Sequence, residues 1–426
     1  MVSRTESADH QHKQPTTPGS TRGSFLSRLF SHQESGLVLV IILMMAVLSV
    51  YGALNKVPEA IKTQLAPEAR VILLDANGDE HQIGEIAKRN IAQYRVIDAG
   101  STTNYDARTI DRFDAETNTI YQSRMKNKFF NASNLFLILK DSSFFAIMAV
   151  GMTGVIILAG IDLSVGSIYG LSAIVGAMAL SALPAEASIF IALPIGLAVC
   201  IAVGTMCGFA NGAMSVGLRV HPFVITLGMM AALRGLTVVL PQELFSTQSI
   251  GGFPTSFTSG FFKAKIMGVY PVPVIVMALV AIAGWFVLSR TVFGRRIFAI
   301  GGNETAAQYA GIPVGKVKIL VYTITGALCG LSACIYLGYL GAAETNAGNA
   351  YELQVIAATV IGGASLMGGR GTALGAVLGA IIIQLINNAM VIFSVDQSYN
   401  QIVMGAAIII AVVIDQTKQR VQARRG

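Results

Sequence analysis

Long apolar runs, broken by short polar or glycine-rich stretches, recur along most of the chain. A helix rises about 1.5 Å per residue, so spanning roughly 30 Å of hydrocarbon takes about 20 mainly apolar residues. Runs of this kind lie at 37–54, 143–160, 164–183, 188–210, 223–240, 270–289, 318–341, 354–367, 373–393 and 399–414. They predict an all-α fold, a polytopic transmembrane bundle of about ten helices with a small extramembrane insertion.

The insertion breaks the pattern. Between residues 55 and 142 there are 12 acidic and 12 basic residues, with a turn signal at Asn77-Gly78 and an alternating apolar run from Arg70 to Leu74. That predicts a small folded or semi-folded unit outside the membrane. The chain then divides into a polar tail at 1–36, a first span at 37–54, an insertion at 55–127, a main membrane domain at 128–417 and a tail at 418–426. The first tail is rich in Ser, Thr, His and Gln and lacks the apolar region and cleavage site of a signal peptide, so it reads as disordered and cytoplasmic.

Composition agrees with this pattern: of 426 residues, 53% are hydrophobic and only 12% charged, and 44 are glycine. The net charge of +7 sits in short clusters beside apolar runs and not on a continuous basic face, which sets topology and argues against nucleic acid. With both termini cytoplasmic, ten spans place 211–222, 290–317 and 368–372 inside, and these loops carry Arg219, Arg290, Arg295, Arg296, Lys316 and Arg370. The short loops assigned outside, at 184–187, 342–353 and 394–398, contain no Lys or Arg. Cys200, Cys207, Cys329 and Cys334 all lie in apolar segments without metal-ligand spacing and read as buried thiols.

Candidate chemistry is sparse. In the loop at 290–317, Arg295 and Arg296 lead to a Gly301-Gly302 turn, then Asn303 as a cap for a short helix from Glu304 to Ala310, stopped by Gly311 and Pro313. Ala306 and Ala307 would let a partner's groove approach closely, and Glu304 suits the first helical turn while staying available to a basic partner. An ordinary connecting loop is the alternative. Asp162 is placed to cap the third span next to Ser164, with a direct solute contact as the other reading. Arg234, a cation inside a span, faces protein, water or carbonyl groups, in a structural or a pathway role. Gln384, Asn387 and Asn388 share one helical face and either line a polar path or bond to neighbouring helices. At an offset of 203 residues, seven of twenty positions from Gly160 onward repeat, among them Gly160 with Gly363, a weak internal repeat.

Three stretches, Gly154 to Gly166, Phe293 to Gly315 and Tyr351 to Gly371, resemble the permease family of ATP-binding-cassette importers for ribose, xylose, arabinose, galactose and related sugars. The resemblance runs from about Lys128 to Gln419. It implies an inner-membrane subunit of the type II importer class that translocates a pentose or hexose. It also implies a second permease copy or a close relative, a cytoplasmic ATPase subunit that binds ATP and Mg, and a periplasmic or lipid-anchored sugar-binding protein, with membrane lipid around the permease itself. The helix from Glu304 to Gly311 would be the coupling helix docking into the ATPase. The polar tail and the insertion depart from the family pattern, which bears on docking of the binding protein and not on the ATPase side. Nucleosides, sugar alcohols and furanosyl signal molecules remain alternative cargoes.

No Gly-x-x-x-x-Gly-Lys-Ser/Thr stretch occurs, so the energy must come from a partner or a gradient, and the chain itself is expected to bind no cofactor or metal. An ion-coupled transporter would place carboxylates near mid-span, whereas Asp162, Glu352 and Asp415 fall near predicted span ends. An intramembrane enzyme would need paired acids or a Ser/His set, yet His221 is the lone histidine outside the tail and insertion, so enzyme activity is not expected.

Overall fold

The computed structural model describes residues 33–83, 90–98, 101–107, 110–114, 117–264, 270–407, 409–410 and 413. Most of the tail expected at 1–36, the tail at 418–426 and the end of the last expected span lie outside these residues. In chain order the helices are α1 (Gln33–Leu54), α2 (Ala132–Ile157), α3 (Val165–Ser181), α4 (Ile189–Gly217), α5 (Pro222–Phe245), α6 (Pro271–Arg290), α7 (Val292–Gly302), α8 (Glu304–Tyr309), α9 (Val314–Leu340), α10 (Tyr351–Ile361) and α11 (Ala373–Ile392). A further helix occupies 400–407. Among the described residues, seven helices are long and apolar enough to cross a membrane, namely α1, α2, α4, α5, α6, α9 and α11, while α3 and α10 are shorter apolar helices. The protein is a polytopic helical bundle.

Two elements differ from the hydropathy reading. Helix α2 starts well before residue 143 because the Asn131 side chain caps it, accepting the Asn134 N–H at 2.9 Å, so Lys140 and Asp141 lie inside the helix. The expected span at 354–367 holds only the 11-residue α10, about 16 Å long at 1.5 Å per residue. Glycines 363, 368, 369 and 371 carry positive φ, which ends the helix in a reversal. An extended stretch leads into α10: Ala342–Glu344 (β9) pairs antiparallel with Ser249–Gly251 (β8), after which 345–350 runs alongside the first turns of α3.

The insertion between α1 and α2 is a β module. Strands β1 (Val57–Gln64), β7 (Thr119–Lys126) and β6 (Ile110–Asp114) form one antiparallel sheet, and β3 (Glu80–His81), β2 (Arg70–Leu74), β4 (Gln93–Asp98) and β5 (Ser101–Asp106) form another. Leu65, Leu73, Tyr94, Val96, Ile110 and Ile120 bury a core between them, the half-buried alternation expected of paired strands. The Asn77-Gly78 turn links β2 to β3, where Asp75 accepts the N–H groups of Asn77 and Asp79 at 2.9 Å each.

Burial sorts the long helices into an inner and an outer set. The apolar windows of α2 and α9 are 72% and 61% buried, whereas α1, α4, α5 and α6 are 11–22% buried. The second set keeps apolar side chains facing outward, as a lipid solvent requires. The tightest crossing is α4 on α9. Gly204 and Gly208 of α4 meet Gly326 and Gly330 of α9, and a methyl group added at Gly326 would run into the backbone of Gly204 and Gly208. Each helix carries a Gly-x-x-x-Gly pair, so the small-residue faces bring the backbones together and dispersion does the rest.

Overpacking a fitted contact costs about 1–3 kcal/mol. Gly326→Leu is therefore expected to lower the thermal midpoint of the detergent-solubilised chain, measured by scanning fluorimetry. Gly235→Ala on α5, with open space around it, should not lower that midpoint, since Ala favours a helix interior over Gly.

Candidate functional site

Seven residues separate Asn134 from Asp141 on α2, which puts both on one face two turns apart. That face meets the Gln384, Asn387 and Asn388 face of α11 and Asn400 of the following helix around a cavity of about 290 Å³. Asn134 and Asn388 exchange two amide hydrogen bonds, Asn134 Nδ2 donating to Asn388 Oδ1 at 3.2 Å and Asn388 Nδ2 to Asn134 Oδ1 at 2.8 Å. Asn387 Nδ2 donates to Gln384 Oε1 at 2.8 Å. Among the described residues, Asn387 Oδ1 and Asn400 Oδ1 have no hydrogen-bond partner.

A carboxylate joins these amides. Asp141 Oδ1 lies 2.6 Å from Lys140 Nζ, and that ammonium also sits 3.8 Å from the centroid of the Tyr339 ring. The neighbouring cation and ring offset the cost of a charge pair at membrane depth. The cavity therefore offers unpartnered amide oxygens and a carboxylate, all acceptors, to anything that donates several hydroxyl hydrogens. On the α11 face, Asn388 bonds a neighbouring helix, and Gln384, Asn387 and Asn388 line the cavity. Asn134, Asp141 and Asn400 were missed, the first two because they fell outside the span read at 143–160, although their spacing of seven was visible.

The other polar residues singled out from sequence lie apart from this cavity. Asp162 and Ser164 are fully buried between α2 and α3. Asp162 Oδ1 accepts Ser164 N–H at 2.8 Å and Ser164 Oγ–H at 2.6 Å, and Asn211 Nδ2 of α4 donates to Ser164 Oγ at 2.7 Å. Ser164, not Asp162, occupies the cap position of α3, and its side chain makes no capping bond. The carboxylate instead closes a turn just ahead of the helix and joins it to α4. Arg234 of α5 donates from Nη1 to the Ala347 carbonyl at 2.7 Å, one of the carbonyl partners expected for a cation within a span.

The third feature is a protrusion between α6 and α9. The loop at 290–317 is two helices and not one. Gly301 and Gly302, expected as a turn, form the end of α7, and the break comes at Asn303, whose φ of −159° is extended. Asn303 Oδ1 accepts Ala306 N–H at 2.9 Å, a cap worth about 1 kcal/mol. Gly311, at φ 79°, and Pro313 stop α8. Ala307 is buried within the chain at 4% exposure and is not open to a partner, whereas Ala306, Tyr309 and Gly311 are among the exposed residues of the protrusion. Tyr309, 89% exposed, went unnoticed in the sequence. Glu304 already has a basic partner, because Lys318 of α9 donates to both its oxygens at 2.7 and 2.8 Å.

The base of the protrusion touches both reversals. Gly301 packs on the Ile157 carbonyl at the end of α2 and on Gly369, and Gly369 N–H itself donates to Ile157 O at 2.8 Å. The reversals after α2 and after α10 are thus in contact, with α7 against both.

The family described as "Branched-chain amino acid transport system / permease component" matches residues 134–412, which begin after the β module. The ribose import permease protein of Escherichia coli (strain K12) is 41% identical over 298 residues, 70% of this chain and 90% of that protein. The D-allose transport system permease protein of the same strain is 38% identical over 297 residues, 70% of this chain and 87% of that protein. Its galactose/methyl galactoside import permease protein is 36% identical over 297 residues, 68% of this chain and 88% of that protein. No solved structure gives a significant match. With most of the bundle covered by the family match and with relatives this similar along nearly their whole length, the chain belongs to the branched-chain amino acid transport system / permease component family.

Proposed function

We propose that this chain is the multi-pass permease subunit of an ATP-driven importer in the bacterial inner membrane and that its cargo is a monosaccharide. The observation that carries the cargo class is the cavity between α2 and α11, where Asp141, Asn387 and Asn400 present acceptors. A sugar donates several hydroxyl hydrogens to such a lining, whereas a branched-chain side chain would leave those acceptors unpaired, a cost of about 1–3 kcal/mol each. The relatives named for ribose, D-allose and galactose point the same way.

Energy enters through α8. A cytoplasmic ATPase subunit, carrying ATP and Mg, docks on Asn303, Glu304, Ala306, Tyr309 and Gly311, with Ala307 buried behind them and Arg295 and Arg296 of α7 bordering the surface. The arginines on this side favour a cytoplasmic placement, with both termini also cytoplasmic and the β module facing the periplasm. Displacement of α8 reaches the bundle by two rigid links: the Glu304–Lys318 pair pulls on the start of α9, and Gly301 pushes on the reversals at Ile157 and Gly369. Asp162, Ser164 and Asn211 hold one reversal to α4, and Arg234 holds the 345–350 stretch to α5, so the shift moves whole helices. A sugar-binding protein delivers cargo at the opposite face. The thinly buried α5, with Leu236 and Val239 exposed, offers an apolar face to a second permease copy or to lipid.

Two experiments test this. In proteoliposomes of the assembled importer, Tyr309→Ala is expected to weaken ATPase binding about tenfold, the scale of an aromatic anchor at an interface, and Gly311→Ala, strained at positive φ, to weaken it less. Unchanged binding and sugar-coupled ATP hydrolysis in both variants would remove α8 from the coupling path. Asn387→Leu, which deletes an unpaired acceptor, should raise the KM for labelled ribose, allose or galactose about tenfold with insertion intact. Accumulation of leucine and of none of the sugars would sink the cargo assignment.

A further inference from the structure

Helices α6 and α9 both pack on α2, and between them lies an apolar groove of about 160 Å³. Gly151 and Gly154 of α2 form its floor, Ala283 and Val287 of α6 one wall, and Ile324 and Leu328 of α9 the other. Phe293 and Ile297 of α7 border one end. From Val280 to Leu288 the groove follows α6 for about 12 Å at 1.5 Å per residue, most of one leaflet of a hydrocarbon core of roughly 30 Å. It ends two residues short of Arg290, at the end of α6.

That end is strongly basic. Arg290 closes α6, and Arg295 and Arg296 lie on the exposed side of α7, whose opposite side buries Gly294, Ile297 and Ile300. Helix α7 is therefore amphipathic and interfacial in type. Among the described residues none of the three arginines forms an ion pair. Arg290 lies 5.6 Å from the centroid of the Trp285 ring, so one edge of its guanidinium is occupied by a ring face and the remaining donors are available.

We infer that this groove and its arginines bind an anionic phospholipid, one acyl chain lying between α6 and α9 and the phosphate meeting Arg290, Arg295 and Arg296. An apolar slot about 12 Å long with three arginines beyond its α6 end matches both halves of such a molecule. A zwitterionic lipid fits the slot as well but gains less at the arginines, and a helix of another protein would fill the slot without using the charge. The site rests on the membrane-spanning character of α6 and α9 and not on the cargo or on ATPase docking. The proposed orientation determines only that the lipid comes from the cytoplasmic leaflet. Because α7 touches the reversals through Gly301, a lipid held here would sit against the moving part of the bundle.

The chain has a single tryptophan, Trp285, one turn from the groove wall and beside Arg290, which supplies the readout. The full chain is reconstituted in vesicles in which either phosphatidylcholine or phosphatidylglycerol carries brominated acyl chains, and quenching of Trp285 is compared at 0.15 M salt. General contact with surrounding lipid quenches equally in both series. The headgroup-dependent part is expected to favour phosphatidylglycerol about fivefold, and to vanish in R290Q/R295Q/R296Q and also in Ala283→Phe, which fills the groove from an exposed position. Arg290→Gln alone, a surface change, should give an intermediate preference and serves if the triple variant elutes as aggregate. Equal quenching by the two lipids in the unaltered chain would overturn the proposal. So would a preference that survives Ala283→Phe, since the lipid would then lie on the arginine surface with its chain outside the groove.

Discussion

A peptide group that leaves a helix inside a bilayer has no water to bond, so the protein must supply its partner. This constraint is met at three of the breaks between helices. After α2, Ala159 and Gly160 N–H groups turn back to Ile156 and Val155, and Asp162 accepts Ser164 N–H. After α10, Ala364 N–H bonds Thr359 O, Ser365 N–H bonds Arg370 O, and Gly369 N–H reaches across to Ile157 O. Between α9 and α10, Arg234 supplies a guanidinium to the carbonyl of the buried Ala347. Each break is closed by a neighbouring element, which makes the breaks the joints between helices and not loose ends.

The joints matter because the elements they connect are stiff. The α4–α9 crossing brings backbones into contact at Gly204, Gly208, Gly326 and Gly330, leaving little room for one helix to slide on the other. Movement imposed at α8 is therefore expected to appear as rotation of packed groups about the reversals. The Glu304–Lys318 pair is exposed and worth about 0–1 kcal/mol in stability. Its consequence is geometric: two hydrogen bonds fix the angle of a six-residue helix that has almost no core of its own.

The β module stands outside this arrangement. Its own buried cluster makes it a separate folding unit, joined to the bundle by Asn127, whose amide donates to Ser49 O at 2.9 Å, and by Lys128, which donates to Ile392 O at 2.6 Å. Those links tie it to the ends of α1 and α11, beside the polar cavity and opposite the protrusion.

Local pattern was enough to read the membrane class, the insertion as a unit apart from the spans and the capped helix at Asn303, because hydropathy, turn residues and caps act over a few neighbours; that the insertion is built of β-strands was not read. The three Gln384, Asn387 and Asn388 amides were legible as one face for the same reason. Hydropathy misplaced the start of α2, since the Lys140–Asp141 charges looked like a boundary until the pair neutralised itself under Tyr339. It also made α10 too long, because apolar composition does not distinguish a span from a short helix followed by a glycine reversal. What the amides face, which carbonyl Arg234 meets, that Ala307 is inside and Tyr309 outside, and that Glu304 belongs to Lys318 were decided by tertiary structure alone. Each depends on residues far apart in the chain, and no local rule specifies which helix will lie beside which.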